Sequence, residues 1–369
     1  MNPLIASHAH GYYEVGDQIY FNKLEALHYA TKTNQQVSWN FHNEVYSKID
    51  WTQRPAGDLR TLYKERAQQI RDEYDYVIVN FGGGQDSWTV LNSFLSNNIH
   101  VDEVYTRWNF AERKYRDADP NNTHESNLGS EFEYATLPVL EHIKKNYPRT
   151  NVVIDDFSEC FESDFTENTI LASNTFHSMG TYYRYGRKSQ QEIEVSSKNK
   201  KVAVVLGHDK ICVAHNRGNK NWYAYFIDVP LGTDNDLSRT NEFFYWTPKF
   251  PSIPVLQAHC LIDELEAEQN YVKSAFSDDL RRVYAKACYP DYNIETFQAG
   301  KPYGTRIRAS ESWIMKYNPR YYESWKWNVD QLFNGISDDH LRVYNSLVVG
   351  TKFSATQTYL VRNNANQPN

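Results

Sequence analysis

Cysteine is scarce in this chain. The four residues, Cys160, Cys212, Cys260 and Cys288, stand far apart with no C-x-x-C pair, a spacing that excludes a structural zinc knuckle, a disulfide scaffold and a local iron–sulfur site. No stretch approaches the roughly 18 consecutive apolar residues of a membrane span, and Met1 to Tyr20 holds histidines and acids where a signal peptide would hold a basic segment and an apolar run. No membrane role is expected, and a reducing cytoplasm is the expected setting. An excess of positive charge is also missing: 39 Lys and Arg stand against 46 Asp and Glu, for a net charge of -7. A pI near 6.0 gives no field that would draw the whole chain to nucleic acid, although a local basic groove is left open. There is no internal repeat, and only the Asn- and Gln-bearing end, 363–369, reads as a disordered tail.

What is abundant is aromatic: 15% of 369 residues, with 28 Tyr and 9 Trp. Such rings serve either as amphipathic core residues whose polar handle finds a hydrogen bond or as stacking platforms for bases. Their spread along the chain favours the first reading. The length exceeds one minimal domain, so two packed units or one large unit with appendages is expected.

The first 57 residues show no clear period and read as an irregular N-terminal segment closed by the turn Arg54-Pro55-Ala56-Gly57. Asp58 then predicts the N-cap of a helix through Arg71, with Leu59, Leu62, Tyr63, Ala67 and Ile70 at helical spacing. Tyr76 to Val79 is a short apolar run of the kind that fills a buried parallel strand, a glycine run follows, and Trp88, Leu91, Phe94 and Leu95 mark a helix face. Further strands are predicted at Val101 to Trp108, Asn151 to Ile154 and Lys201 to Leu206, with a helix from Pro138 to Lys145. Alternating strands and helices argue for an α/β fold with an open, mainly parallel sheet. Ile211 to Ala214 and Trp222 to Ile227 predict a β-hairpin, and helices are predicted over Val255 to Tyr271, Asp278 to Cys288 and Tyr322 to Phe333.

In such a sheet ligands sit beyond the carboxyl ends of the strands, and a glycine loop that opens a helix is a ready anion site. Phe81-Gly82-Gly83-Gly84-Gln85-Asp86-Ser87 occupies that position. Glycines let backbone approach a phosphate chain, Ser87 adds a hydroxyl, and Asp86 is a candidate magnesium ligand. A glycine triplet alone is more often a turn, but here a strand precedes it, a helix follows, and Asp-Ser lies inside it. The loop lacks the lysine of a P-loop NTPase and the third glycine of a Rossmann dinucleotide loop, where Ser87 stands instead.

The loop resembles the S-G-G-x-D-S pyrophosphatase loop in five of six positions: Gly83, Gly84, Asp86 and Ser87 match around the unrestricted Gln85, while Gly82 replaces the leading serine. On these residues the chain is similar to the PP-loop ATP pyrophosphatases, the superfamily of asparagine synthetase, GMP synthetase, tRNA thiolases and PAPS reductase, with a HUP-type, Rossmann-like sheet. The Asn127-to-Phe132 stretch resembles PAPS reductase-like members, and Gly207-His208-Asp209-Lys210 lies where asparagine synthetase-like members present a second acidic magnesium ligand. Phe243 to Pro248, with the helix holding Gln257 and His259, resembles asparagine synthetase-like proteins of bacteriophage type. The resemblance covers roughly Asp58 to Gln257.

It implies ATP and Mg2+ as cofactors, with Asp86 and Asp209 as the magnesium pair and Asp86, Ser87, His208 and Lys210 as the catalytic set. Phe81 to Ser87, Thr106, Arg107, Arg184, Arg187 and Gly207 are the expected nucleotide contacts; the arginines alternatively form a solvated loop, and Asp209 a turn or N-cap. The implied reaction is AMP- and pyrophosphate-forming. A substrate oxygen attacks the α-phosphate, and a nucleophile, taken as an amine, then displaces AMP from a small molecule or a nucleobase. The implied domain spans 58–250, with a helical C-terminal region, 251–362, closing over the substrate. Asn2 in place of a cysteine, and too little chain before Asp58, argue against a glutaminase domain, and no cysteine follows Cys288 for PAPS reductase chemistry. The alternatives are a sulfonucleotide enzyme and a non-catalytic nucleotide-binding protein. Asp117 to Asn121 mimics the start of an EF-hand but reads as a turn, and His8 and His10 lack further ligands.

Overall fold

The computed structural model describes residues 11–21, 23–108, 110, 131–156, 187–207, 211–228, 240–267, 278–292, 323, 334–340 and 355–363. The N-terminal segment departs from the irregular chain expected. Strands β1 (Tyr12–Val15), β2 (Gln18–Tyr20) and β3 (Ser38–Asn40) form an antiparallel sheet in the order β2-β1-β3, with helices α1 (Lys23–Thr33) and α2 (Asn43–Tyr46). Strands of three or four residues built from Tyr, Glu, Gln and Trp carry too short a period to detect. They are held instead by burial of Tyr13, Val15 and Trp39 and by a buried pair in which Lys23 Nζ lies 2.5 Å from Asp228 Oδ2.

The next strand and helix follow the sequence reading. Helix α3 (Leu59–Glu73) is capped by Asp58, whose carboxylate accepts from the Thr61 amide at 2.8 Å. It leads into β4 (Tyr76–Asn80), the glycine loop and α4 (Gln85–Leu95). Then come β5 (Glu103–Trp108), a π-helical turn Glu131–Thr136, α5 (Leu137–Asn146), β6 (Asn151–Asp156), α6 (Gln190–Ser197) and β7 (Val202–Leu206). The hairpin β8 (Cys212–Asn216) and β9 (Asn221–Tyr225) precedes β10 (Thr240–Phe243), α7 (Ser252–Ala267), α8 (Asp278–Cys288) and β11 (Tyr359–Arg362).

Strands β10-β7-β4-β5-β6 form one sheet in that order, every pair parallel. The chain winds outward from β4 through β5 to β6, returns to β7 on the other side of β4, and continues to β10. The winding therefore reverses between β4 and β7, and at such a point the connections leave in opposite directions and open a crevice beyond the carboxyl ends. The α/β class with a parallel sheet is thus observed.

One contiguous cluster of buried side chains includes Tyr13, Tyr63, Val79, Trp246 and Val361, so residues from the N-terminal segment, the sheet and the C-terminal region share a core. Aromatic rings knit them. Phe226 packs 5.1 Å from Phe41, 4.6 Å from Tyr46 and 5.2 Å from Trp246, and Trp51 stacks 4.7 Å from Tyr359. These rings are core residues with buried faces, not base platforms. Strand β11 lies within the stretch expected to be helical, where it pairs antiparallel with β9. The predicted helix over Tyr322 to Phe333 lies outside the described residues apart from Glu323, as does the tail beyond Asn363.

Candidate nucleotide site

The glycine loop leaves the central strand at the point of reversal. Phe81 extends the β4–β5 ladder, its amide donating to the Tyr105 carbonyl at 2.9 Å, and the Thr106 hydroxyl donates to the Phe81 carbonyl at 2.8 Å. Thr106 is 1% exposed. Its hydroxyl therefore fixes where the loop begins. Gly83 has φ +82°, a conformation that favours glycine, and a Cβ there would lie 2.2 Å from Thr136 Oγ1. That hydroxyl in turn donates to the Gly82 carbonyl at 3.2 Å, so the π-helical turn braces the loop from outside the motif.

Ser87 braces it from within. Its hydroxyl accepts from the Gly82 amide and donates to the Gly84 carbonyl, both at 3.2 Å. The expected phosphate donor is therefore a loop-closing residue in this conformation. Gly82 is exposed, and a Cβ there would meet nothing within 4 Å. Gly84 is the N-cap of α4, with extended backbone and no side-chain cap. The positive end of α4, with Asp86 in its first turn, thus has no side-chain cap from its N-cap residue.

At the end of β7, a Cβ on Gly207 would lie 2.9 Å from the Ser87 nitrogen and the Asp86 carbonyl carbon. Only a glycine lets the β7 terminus approach the first turn of α4 so closely. The half-buried Asp86 is gripped by two tyrosines. Tyr245 donates its hydroxyl to the Asp86 main-chain carbonyl at 2.8 Å, and Tyr289 donates to Asp86 Oδ1. Burial first, and then neighbouring charge that includes Asp86, raises the pKa of both phenols well above the ordinary value, so both remain protonated donors.

A second polar group occupies the carboxyl ends of β5 and β6. The Arg107 guanidinium lies 4.5 Å from the Tyr105 ring and donates to the Arg187 carbonyl at 3.3 Å, while Arg187 Nε lies 2.8 Å from Asp155 Oδ2. Arg107 and Arg187 are thus brought together, Arg187 in an ion pair with a carboxylate of the neighbouring strand.

Phe81 to Ser87 and Gly207 therefore lie together beyond the ends of β4 and β7, with Thr106 bonded to the start of the loop. Arg184, His208, Asp209 and Lys210 lie outside the described residues, as do Asn127 to Ser130, Asp117 to Asn121, His8 and His10. His259, singled out by the resemblance, is a core residue whose Nε2 lies 3.0 Å from the Trp51 carbonyl oxygen. Among the described residues there is no group of three or more His, Cys, Asp or Glu that could hold a metal ion. Thr136 and Tyr289 carried no signal in the sequence, whereas Tyr245 falls within the Phe243-to-Pro248 segment already marked by resemblance. No protein-family model, curated protein or solved structure matches the chain.

Proposed function

We propose that the chain is a PP-loop ATP pyrophosphatase of HUP-type fold that binds magnesium-ATP at Gly82 to Ser87 and transfers an activated substrate with release of AMP and pyrophosphate. One observation carries the reading. The glycine loop that resembles the pyrophosphatase pattern leaves the central strand of a parallel sheet where its winding reverses, and it opens a helix whose N-cap offers no side chain to its first amides.

The residues present fit such a ligand. The start of α4, whose N-cap Gly84 supplies no side-chain cap, would form an anion cradle. Magnesium keeps several waters and needs only one or two carboxylates besides phosphate oxygens, so Asp86, with Asp209 as the second candidate, suffices without a three-ligand cluster. Bound magnesium would neutralise charge on the phosphate oxygens and the departing pyrophosphate. The chain itself would hold the phosphates against the α4 amides and orient the acceptor, whether a small molecule or a nucleobase, with Arg107 and Arg187 as candidate contacts to an anionic part of nucleotide or substrate. Sulfonucleotide chemistry ranks lower. Cys288 is fully buried and burial pushes the Cys260 thiol up, which disfavours a thiolate at these two positions.

The test compares the parent with Asp86→Asn in magnesium-dependent ATP binding and in pyrophosphate release. Loss of a unit charge beside a dication is expected to lower turnover about a hundredfold or more, at almost unchanged folding stability. A variant that binds magnesium-ATP and turns over like the parent overturns the metal role of Asp86. Tighter binding of NAD than of ATP by the parent overturns the nucleotide assignment. Magnesium-ATP binding without pyrophosphate release, with Gly82 in place of the motif serine, would identify a non-catalytic nucleotide-binding protein.

A further inference from the structure

We infer that Thr136 is a positioning residue for the glycine loop: its hydroxyl, together with that of Thr106, ties loop carbonyls to the protein so that amides are what the loop presents to an anion. The inference rests on the magnesium-ATP reading of the loop. Each peptide group of a phosphate-binding loop is a dipole, and a carbonyl oxygen turned toward the ligand repels the charge that a neighbouring amide attracts. Two buried hydroxyls hold the first carbonyls of this loop. Thr106 Oγ1 donates to the Phe81 carbonyl at 2.8 Å, and Thr136 Oγ1 donates to the Gly82 carbonyl at 3.2 Å. Each threonine is 1% exposed, so its effect on a ligand runs through the backbone it holds.

The placement of Thr136 is particular. It stands at the N-cap of α5, where a threonine ordinarily turns its hydroxyl back onto its own helix, yet it makes no side-chain cap there. Pro138, in the first turn of α5, has no amide to be capped. The hydroxyl goes to the loop instead. The approach is close, since a Cβ on Gly83 would lie 2.2 Å from Thr136 Oγ1 and 3.1 Å from the Thr136 nitrogen, and Gly83 itself takes φ +82°. Glycine at this position thus lets the π-helical turn reach the loop and supplies the left-handed backbone that follows the tethered carbonyl. Phe132 of that turn is 2% exposed, and its ring lies 5.2 Å from that of Trp108 at the end of β5, the strand that carries Thr106. Both tethers are therefore anchored on β5.

The experiment measures magnesium-ATP binding by calorimetry on the parent, Thr136→Ala, Thr136→Ser, Thr106→Ala, Thr106→Ser and Thr150→Ala, with thermal unfolding followed on each. Alanine and serine at one position differ by the hydroxyl alone. Thr150 is the control because its buried hydroxyl also donates to a main-chain carbonyl, that of Val101 at 2.8 Å, but does so at the amino end of the sheet. A loop that presents its amides only about one fifth of the time binds about fivefold more weakly. Thr136→Ala is accordingly expected to raise Kd about fivefold, and Thr136→Ser to stay within about twofold of the parent. Thr150→Ala should lose stability at parental affinity. The Thr106 pair should repeat the Thr136 pattern, and it decides the matter if Thr136→Ala does not fold. Alanine variants that bind like the parent, or alanine and serine variants weakened alike, overturn the tethering role while the magnesium-ATP reading stands. A parent that does not bind magnesium-ATP overturns both.

Discussion

The amino end of the parallel sheet and the glycine loop at its carboxyl end are built differently. At the amino end polar groups close on one another. Asp102 accepts from Arg71 and from the Val77 amide at 2.8 Å, and Asp75 accepts from the Lys201 amide at 2.9 Å. Glu103 Oε2 accepts from Ser189 at 2.7 Å, Asn151 at 3.0 Å and Tyr76 at 3.1 Å. At the carboxyl end stand Gly82, Gly83, Gly84 and Gly207, and the helix that begins there has no side-chain cap, whereas Asp58 caps α3 and Ser189 caps α6. Side chains that staple strands together stabilise the fold, while backbone left exposed at a helix start serves a ligand from outside. On the proposed reading, stability would belong to the staples of the amino end and binding to the start of α4.

Removing a staple should therefore lower stability and spare the site. Asp102→Ala deletes the partner of Arg71 and leaves the amide of Val77, itself 0% exposed, without its carboxylate. The expected loss is about 2–3 kcal/mol, read from denaturant midpoints, with magnesium-ATP affinity per folded molecule unchanged. An affinity that falls along with stability would show that the two ends are not separable.

How far this division was legible depends on distance along the chain. Strands β4 and β7 announce themselves because both faces are covered and their residues are continuously apolar, and the Asp58 cap follows from one residue type before a helical period. The loop was legible for the same local reason: seven consecutive residues carry it. Strand β11 was not, since its four residues alternate too briefly to outweigh helical surroundings and its partner β9 lies more than a hundred positions earlier. The grip on Asp86 was invisible on the same grounds, because a tyrosine among 28 becomes particular only when the fold brings it to the carboxylate. The N-terminal sheet falls between these cases, ordered by the aromatic rings it buries more than by any pattern along its strands.

A smaller effect concerns pH and the most buried staple. Burial pushes the Glu103 carboxyl up, against the hydrogen bonds from Ser189, Asn151 and Tyr76 and the charge of Arg107. Because the folded state then holds the proton more tightly than the unfolded state, its contribution is fully present below the ordinary glutamate value of 4.5 and is lost as pH rises through the higher folded value. Glu103→Gln cannot titrate. Its stability relative to the parent should accordingly improve as pH is raised from about 4.5, in denaturant unfolding at a series of pH values. A difference between the two proteins that stays constant across that range would mean that Glu103 does not change charge there.

The smallest expected change in stability tests the start of α4 most directly, because it gives that helix the side-chain cap that α3 and α6 have. Gly84 has φ -77° and ψ 164°, an N-cap conformation open to any residue, and it stands in the same relation to the Ser87 amide as Asp58 does to the Thr61 amide. Gly84→Ser should let a hydroxyl accept from the first turn of α4 and gain a few tenths of a kcal/mol, the usual advantage of serine over glycine at an N-cap. If α4 is uncapped only by accident, nothing else should change. If its amides are the anion cradle, the new hydroxyl competes with phosphate for the same proton, and magnesium-ATP affinity should fall about tenfold, the equivalent of one hydrogen bond to a charged group. Calorimetry and thermal unfolding on the same preparation separate the two. A variant both slightly more stable and clearly weaker in binding would show that the missing cap is reserved for a ligand, whereas one that gains stability at unchanged affinity would place the phosphates elsewhere and leave Gly84 an ordinary helix start.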